Sequence, residues 1–410
     1  MSVTKLPLNK LEVGHYVCLP IGWTNHPFLF NNFKIRNEEE LIVLQNLPFS
    51  EIEVNLAKSN VRESLLPPPI VYDSIDDQLP QVSEAELFSQ QEKKHQRQTA
   101  RWYVDQVGIL KNAMAHFTSQ PVLSYTELLH CVEKLCTPIF ESQLKPNVYL
   151  ILNAKQDDNL FNRSINVCVL AILVSRTLGF SLEATQSVAL AALIQDIGML
   201  RVPFQIRNKK EALNTAEKNY YQAHVGYSIE LLKKNQNFPP QVIELVAMHH
   251  ERLDGSGYPK GLSAIQISEH AQLLHVTDYY ETLINPNPWQ KPIPPQLAIA
   301  VLLKHSDKLF NKTIVEALAN ALGVYPPGTI VQLENAKLAL VSVSNHDDKL
   351  KPFIKQLSTP FTQEFEDIPI ENLQFISTAI AKTLPETALP ADIAQRWAHF
   401  RIGYLYGRQS

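Results

Sequence analysis

The chain has 410 residues, 45% hydrophobic and 19% charged, the balance of a globular protein, which excludes wholesale disorder. Lysine and arginine number 37 against 41 aspartates and glutamates, a net charge of −4, so a protein that binds nucleic acid or anionic membranes through bulk charge is not expected. The cysteines, Cys18, Cys131, Cys136 and Cys168, form no C-x-x-C pair, which argues against a cysteine-built zinc site and a disulfide framework and for a reducing cytoplasm.

Residues 1–62 mix short β-like runs, 52–54 among them, with a helix-like stretch at 38–47, and predict a small α+β N-terminal domain. Residues 63–119 read as a linker rich in proline (Pro67, Pro68, Pro69), with a short strand at 70–72, followed by a charged helix at 89–117. Lys93, Lys94, Arg97 and Arg101 on that helix read as a solvated face. Residues 120–345 form a third region, helical almost throughout. Its helices at 164–178 and 182–197 are apolar on nearly every side and therefore belong inside a bundle. Ser181 is the expected N-cap of the second helix and Gly198 its expected stop. A connection of a few residues makes the pair antiparallel, which brings Arg163 and Ser164 close to Gln195 and Asp196. After Gly328 the period changes to two, and 329–333 with 337–342 predict a hairpin around Glu334-Asn335. Residues 346–410 are a C-terminal extension of mixed pattern. No apolar run approaches the roughly 18 residues of a membrane span, and the N-terminus lacks the apolar core of a signal peptide.

Glycine is scarce, 13 residues or about 3% against a usual ~7%. Yet Gly255, Gly257 and Gly261 share one seven-residue window, so the backbone there needs them. The window follows His249 and His250. Adjacent histidines on a helix point about 100° apart, so one ion takes both only near a helix end. The helix at 241–248 and the Asp254-Gly255 turn supply that end. A zincin helix is excluded, because Asp254 stands where the second histidine of H-E-x-x-H would be.

The run His249-His250-Glu251-x-x-Asp254-Gly255-x-Gly257-Tyr258-Pro259 closely resembles the hallmark of the HD-GYP family, helical bundles related to HD phosphohydrolases that hydrolyse the bacterial messenger cyclic di-GMP at a metal cluster. The resemblance continues in order through 192–198 with Asp196, 221–231 with His224, 275–283 with Asp278, and 322–328 leading into the hairpin. Leu11-Glu12-Val13-Gly14, with Trp23, His26 and Phe33, resembles a small domain often found ahead of HD-GYP domains. The fold implied is mainly α: an HD-type helical bundle with a C-terminal β-hairpin behind a small α+β domain.

The departures from the family pattern carry as much information. Active members have histidines where this chain has Arg163 and Gln195, and a lysine where it has Met199. The family's basic stretch after the distal aspartate reads Asn287-Pro288-Trp289-Gln290, leaving Lys291 as the remaining substrate-binding candidate. Carried over residue by residue, one ion position is complete (Asp196, His224, His249, His250), while the other retains Asp196 and Asp278 alone. A side-chain amide and a guanidinium are not practical ligands for a divalent ion. The resemblance therefore implies at most one transition metal per chain, iron or manganese, or none, with Arg163 pairing with Asp196 or Asp278 in its place. Two-ion hydrolysis clamps both the attacking and the leaving oxygen, so losing one ion erodes turnover. The expected function is cyclic di-GMP signalling by binding, with weak or absent hydrolysis; the alternative is a metal-dependent phosphodiesterase with a reduced site. Expected partners are a diguanylate cyclase domain or another signalling protein, met through Gly257, Tyr258 and Pro259, and cyclic di-GMP itself, with no DNA. The competing reading of those glycines is that they only shape the turn.

Overall fold

A computed structural model describes residues 3–19, 32–37, 40–41, 44, 51–55, 58–59, 84–141, 159–345, 347–357 and 368–397. The Pro-rich stretch, the strand expected at 70–72, and Trp23 and His26 lie outside the described residues, as does most of 38–47, of which Glu40, Leu41 and Leu44 are helical. The chain forms two compact units, residues 1–80 and 81–410.

The first unit is an antiparallel sheet of β1 (Val3–Pro7), β2 (Tyr16–Cys18), β3 (Asn32–Lys34) and β4 (Glu51–Asn55), in the order β1-β4-β2-β3. In β4 Ile52 and Val54 are buried while Glu51 and Glu53 are exposed, the alternation of a strand with one face on a core. That core holds Leu8, Leu11, Val17, Ile35 and Leu44.

The second unit begins with α1 (Glu84–Ala115) and α2 (Pro121–Glu141). In the first half of α1 Lys94, Arg97 and Arg101 are exposed, whereas Tyr103, Leu110, Ala113 and Met114 further along join the bundle core. Then come the two apolar helices, α3 (Asn159–Leu178) and α4 (Leu182–Ile194). Their hairpin is set by local chemistry. Gly179 takes φ +76°, Phe180 N–H donates to Ser175 O at 2.9 Å, and Ser181 Oγ accepts from Ala184 N–H at 3.2 Å. Residues 167–174 and 188–194 are all at most 3% exposed. Full burial of each Leu, Ile or Val there contributes roughly 1.5–3 kcal/mol relative to exposure. The stretch Leu160–Leu178 is long and apolar enough to cross a membrane, and here it forms bundle core.

The second apolar helix stops at Ile194, not at 197, and Gly198 is not its stop. Gly198 lies within a 3-10 turn, Ile197–Arg201. A Cβ on Gly198 would come 2.0 Å from His224 O and 2.6 Å from Ser228 N, so glycine permits the turn to press against a neighbouring helix. Ser228 ties the contact: its Oγ accepts from Gly198 N–H at 2.9 Å and donates to Gln195 O at 2.7 Å.

That neighbouring helix is α6 (His224–Lys234), which follows α5 (Thr215–Gln222). The bundle is completed by α7 (Pro240–Met248), α8 (Glu269–Ile284), α9 (Pro295–Lys304) and α10 (Lys312–Leu322). The expected hairpin is β5 (Ile330–Leu333) with β6 (Leu338–Val343), turning through Ala336 at φ +64°. It sits within a five-stranded antiparallel sheet, ordered β8-β7-β6-β5-β9, with β7 (Phe353–Leu357), β8 (Glu371–Asn372) and β9 (Ile380–Leu384) drawn from the residues after 346. A short helix, α11 (Ala391–Trp397), follows.

Candidate metal centre

Helix ends place the histidines. His224 is the first residue of α6, just past the break at Ala223, and α7 ends at Met248, leaving His249 and His250 where the backbone leaves the helix. The rings of His249 and His250 lie 4.0 Å apart between centroids, as the helix-end argument requires.

Backbone carbonyls orient two of the rings. Tyr221 O lies 2.7 Å from His224 Nδ1, and Val246 O lies 2.6 Å from His249 Nδ1. A carbonyl can only accept, so each Nδ1 carries the hydrogen and each Nε2 keeps a lone pair. These two Nε2 atoms face each other at 3.4 Å and lie 3.2 and 3.8 Å from Asp196 Oδ1. Ligand atoms of Asp196, His224, His249 and His250 all fall within 4.8 Å of one another. Burial, the main influence, pushes His249 and His250 below the usual imidazole range, which favours the neutral, ligating form. Burial alone would raise the Asp196 carboxyl, but the His224 and His249 rings against it and the charged Arg163 guanidinium hold it well below the usual carboxylate range.

The second carboxylate has different company. Asp278 Oδ1 accepts from Arg163 Nη2 at 2.6 Å and from Gln195 Nε2 at 2.7 Å. Arg163 Nη2 also donates to Thr282 Oγ1 at 2.7 Å, and its Nε lies 3.4 Å from Asp196 Oδ2. One guanidinium thus pairs with both carboxylates. Burial alone would lower its pKa; Asp278 and Asp196 more than offset this, so Arg163 stays charged. His250 Nδ1 stands 3.7 Å from Asp278 Oδ2.

Residues 149–314 match the HD domain family, and residues 3–128 match a domain of unknown function, DUF3391. Residues 149–314 therefore carry an HD domain. A cyclic di-GMP phosphodiesterase of Pseudomonas aeruginosa is 30% identical over 217 residues, 52% of this chain and 52% of that protein. The cyclic di-GMP phosphodiesterase response regulator RpfG of Xanthomonas campestris pv. campestris is 35% identical over 147 residues, 36% of this chain and 39% of that protein. The chain spans about half the length of the curated relatives it matches. Among solved structures, Bd1817, an HDG"Y"P protein from Bdellovibrio bacteriovorus, aligns with a TM-score of 0.44 at 14% identity, over 78% of this chain and 99% of that one.

The histidine side of the HD domain fits a metal. Two lone-pair nitrogens facing each other beside a carboxylate repel unless a cation lies among them, and three imidazoles with one carboxylate form a donor set for a transition metal. The Asp278 side fits none, since its Oδ1 is taken by two donors that cannot ligate. Lys291 is exposed. In the loop after His250, Gly257 is needed for close approach, because a Cβ would meet Arg252 N at 2.4 Å and His250 O at 2.6 Å. Tyr258 turns inward and stacks on His250, centroids 4.6 Å apart, while Pro259 is exposed.

Several residues at and below the site were not singled out by sequence. The buried Glu251 accepts from Lys260 N–H and Leu262 N–H at 2.7 and 2.8 Å, pinning the loop; it lay inside the quoted motif, and its neighbour relation was the available signal. His275 donates from Nδ1 to His249 O at 2.9 Å and is pushed by burial to about 4, so it supports the ligand helix end as a neutral ring. Below the site Tyr103 OH donates to Asn166 Oδ1, and Asn166 and Asn285 donate to Glu281 Oε1 at 2.7 and 2.8 Å. Thr282 and this network have no local signature, being single polar residues on helices.

Proposed function

We propose that the HD domain serves cyclic di-GMP signalling by binding, with turnover weak or absent. The observation that carries this reading is the Arg163 guanidinium bonded to Asp278 and paired with Asp196, where a second ion would need those carboxylates. Two-ion phosphodiester hydrolysis depends on a clamp from both sides. One side remains: Asp196, His224, His249 and His250 would hold a single transition metal, iron or manganese in preference to magnesium, because imidazole donors suit the former. When bound, the metal would supply Lewis acidity toward a phosphoryl oxygen. The chain's own groups do the rest: the carbonyls of Tyr221 and Val246 fix the imidazole tautomers, and Gln195 with Arg163 holds Asp278 away from ligation.

The relatives named above are phosphodiesterases, and their activity is the alternative: a slow, metal-dependent enzyme with a reduced site. Elemental analysis together with a cyclic di-GMP turnover assay, run with added Mn²⁺ or Fe²⁺ under reducing conditions, separates the two. The expected result is no more than about one transition metal per chain and turnover far below one per second; turnover of about one per second, within the ordinary enzyme range, overturns the binding reading. A protein partner such as a diguanylate cyclase domain would meet the outer side of the loop, where Pro259 and Lys260 are exposed, since Tyr258 faces His250. The four free cysteines accord with a reducing, cytoplasmic setting.

A further inference from the structure

Arg163 does more than neutralise carboxylates. Its Nη2 is committed to Asp278 and Thr282, and its Nε faces Asp196. The third nitrogen, Nη1, has no partner among the described residues and is not closed off from solvent. The exposure pattern agrees. Arg163 and His250 are each 18% exposed at the side chain, whereas Asp196, Asp278, His224 and His249 are 5% or less. The opening of the site therefore shows one imidazole from the metal-fitting set and one guanidinium, with the carboxylates behind them.

A guanidinium held at two of its nitrogens has lost its rotamer freedom, so its remaining N–H groups are offered in one fixed direction. Phosphate oxygens are the matching acceptors. Charge decides when they are welcome. Asp196, Asp278 and Arg163 together carry a net charge of minus one, which repels an anion. A divalent ion among Asp196, His224, His249 and His250 turns that to plus one, which attracts it.

We propose that Arg163 Nη1 is the anion anchor of this site, replacing the lost second ion as the group that grips a phosphoester, and that it does so only when the histidine set holds a divalent cation. The proposal rests on the single-metal reading above and names the ligand chemistry for it: a phosphate monoester or diester.

Isothermal titration of inorganic phosphate, and separately of cyclic di-GMP, into the full chain tests it, with and without Mn²⁺ and with metal content measured in every sample. Arg163→Met removes the charge at similar length. Arg163→Lys retains a cation for Asp278, so the fold is kept, but leaves no second arm for an anion. Expected is phosphate binding by the Mn²⁺-loaded chain, none without Mn²⁺, and a weakening of about tenfold or more in both variants at unchanged metal content. Equal binding with and without metal, undiminished binding by Arg163→Lys, or no phosphate binding by the loaded wild type each overturns the proposal. Arg163-dependent phosphate binding without cyclic di-GMP binding upholds the anchor and removes the cyclic di-GMP reading, so the two failures are distinguishable.

Discussion

Arg163 Nη2 lies 2.6 Å from Asp278 Oδ1, across 115 residues of sequence, with both side chains largely out of water. Removing the guanidinium strands two carboxylates, one of which, Asp196, also loses the cation 3.4 Å from its Oδ2. Breaking a buried pair by deleting one partner costs about 3–5 kcal/mol. Arg163→Ala is expected to lose that much stability in metal-free buffer, measured by urea unfolding. A loss under about 1 kcal/mol, the range of an exposed ion pair, would show that the carboxylates do not depend on Arg163.

The same pair explains why the second ion position is closed, and the block should be reversible. Arg163→His with Gln195→His removes both donors from Asp278 Oδ1 and puts imidazoles beside Asp196 and Asp278. Metal content should rise from about one to about two ions per chain by elemental analysis. No rise would mean that the site's geometry, and not its donor set, limits metal uptake.

How much of this was open to sequence reasoning depends on the range of each interaction. The approach of Arg163 to Asp196 followed from a local signal, since Ser181 as a cap and a short link at Gly179 force α3 and α4 to run antiparallel. The grouping of Asp196, His224, His249 and His250 was implied by the family resemblance and not by spacing alone, while the placing of His249 and His250 at a helix end came from their adjacency. The end of α4 did not. Gly198 reads as a helix stop in sequence, and its actual reason, the closeness of His224 O, comes from a residue 26 positions away on another helix. Thr282 and Asn166 were illegible for the same reason: what they do depends on Arg163 and Glu281, more than 100 residues distant.

Glu281 gives the fold a pH dependence. Burial, the largest influence, lifts its carboxyl from the ordinary 4.5 to about 7, and its Oε2 has no partner among the described residues. Between about 4.5 and 7 the folded state then binds more protons than the unfolded one, so stability is fully present below this window and falls as pH rises through it. The loss is about 3 kcal/mol. Buried His275, pushed down to about 4, acts in the opposite sense, costing stability as pH falls below its ordinary 6.5. Glu281→Gln isolates the first effect: compared with wild type at the same pH, it should gain close to 3 kcal/mol at pH 8 and nothing at pH 4 in urea unfolding. A difference independent of pH would contradict the assignment.

Two glycines in contrasting surroundings, Gly198 and Gly226, make a paired test of how the site is built. Gly198 has no space for a side chain: a Cβ would lie 2.0 Å from His224 O and 2.6 Å from Ser228 N, both backbone atoms that cannot step aside alone. Alanine there must push the 197–201 turn away from α6, and with it shift His224 relative to Asp196, now 3.2 Å apart. Gly226, two residues into α6 from His224, has nothing within 4 Å of its would-be Cβ and is exposed in the first turn of the helix. Gly198→Ala should therefore lose about 1–3 kcal/mol or more through overpacking and lower metal uptake. Gly226→Ala should gain about 0.5–1 kcal/mol from the reduced freedom of the unfolded chain and leave uptake unchanged. Thermal unfolding with and without Mn²⁺ reads both effects in one experiment. If Gly198→Ala bound metal as wild type does, the turn and His224 would not be coupled as the close approach requires.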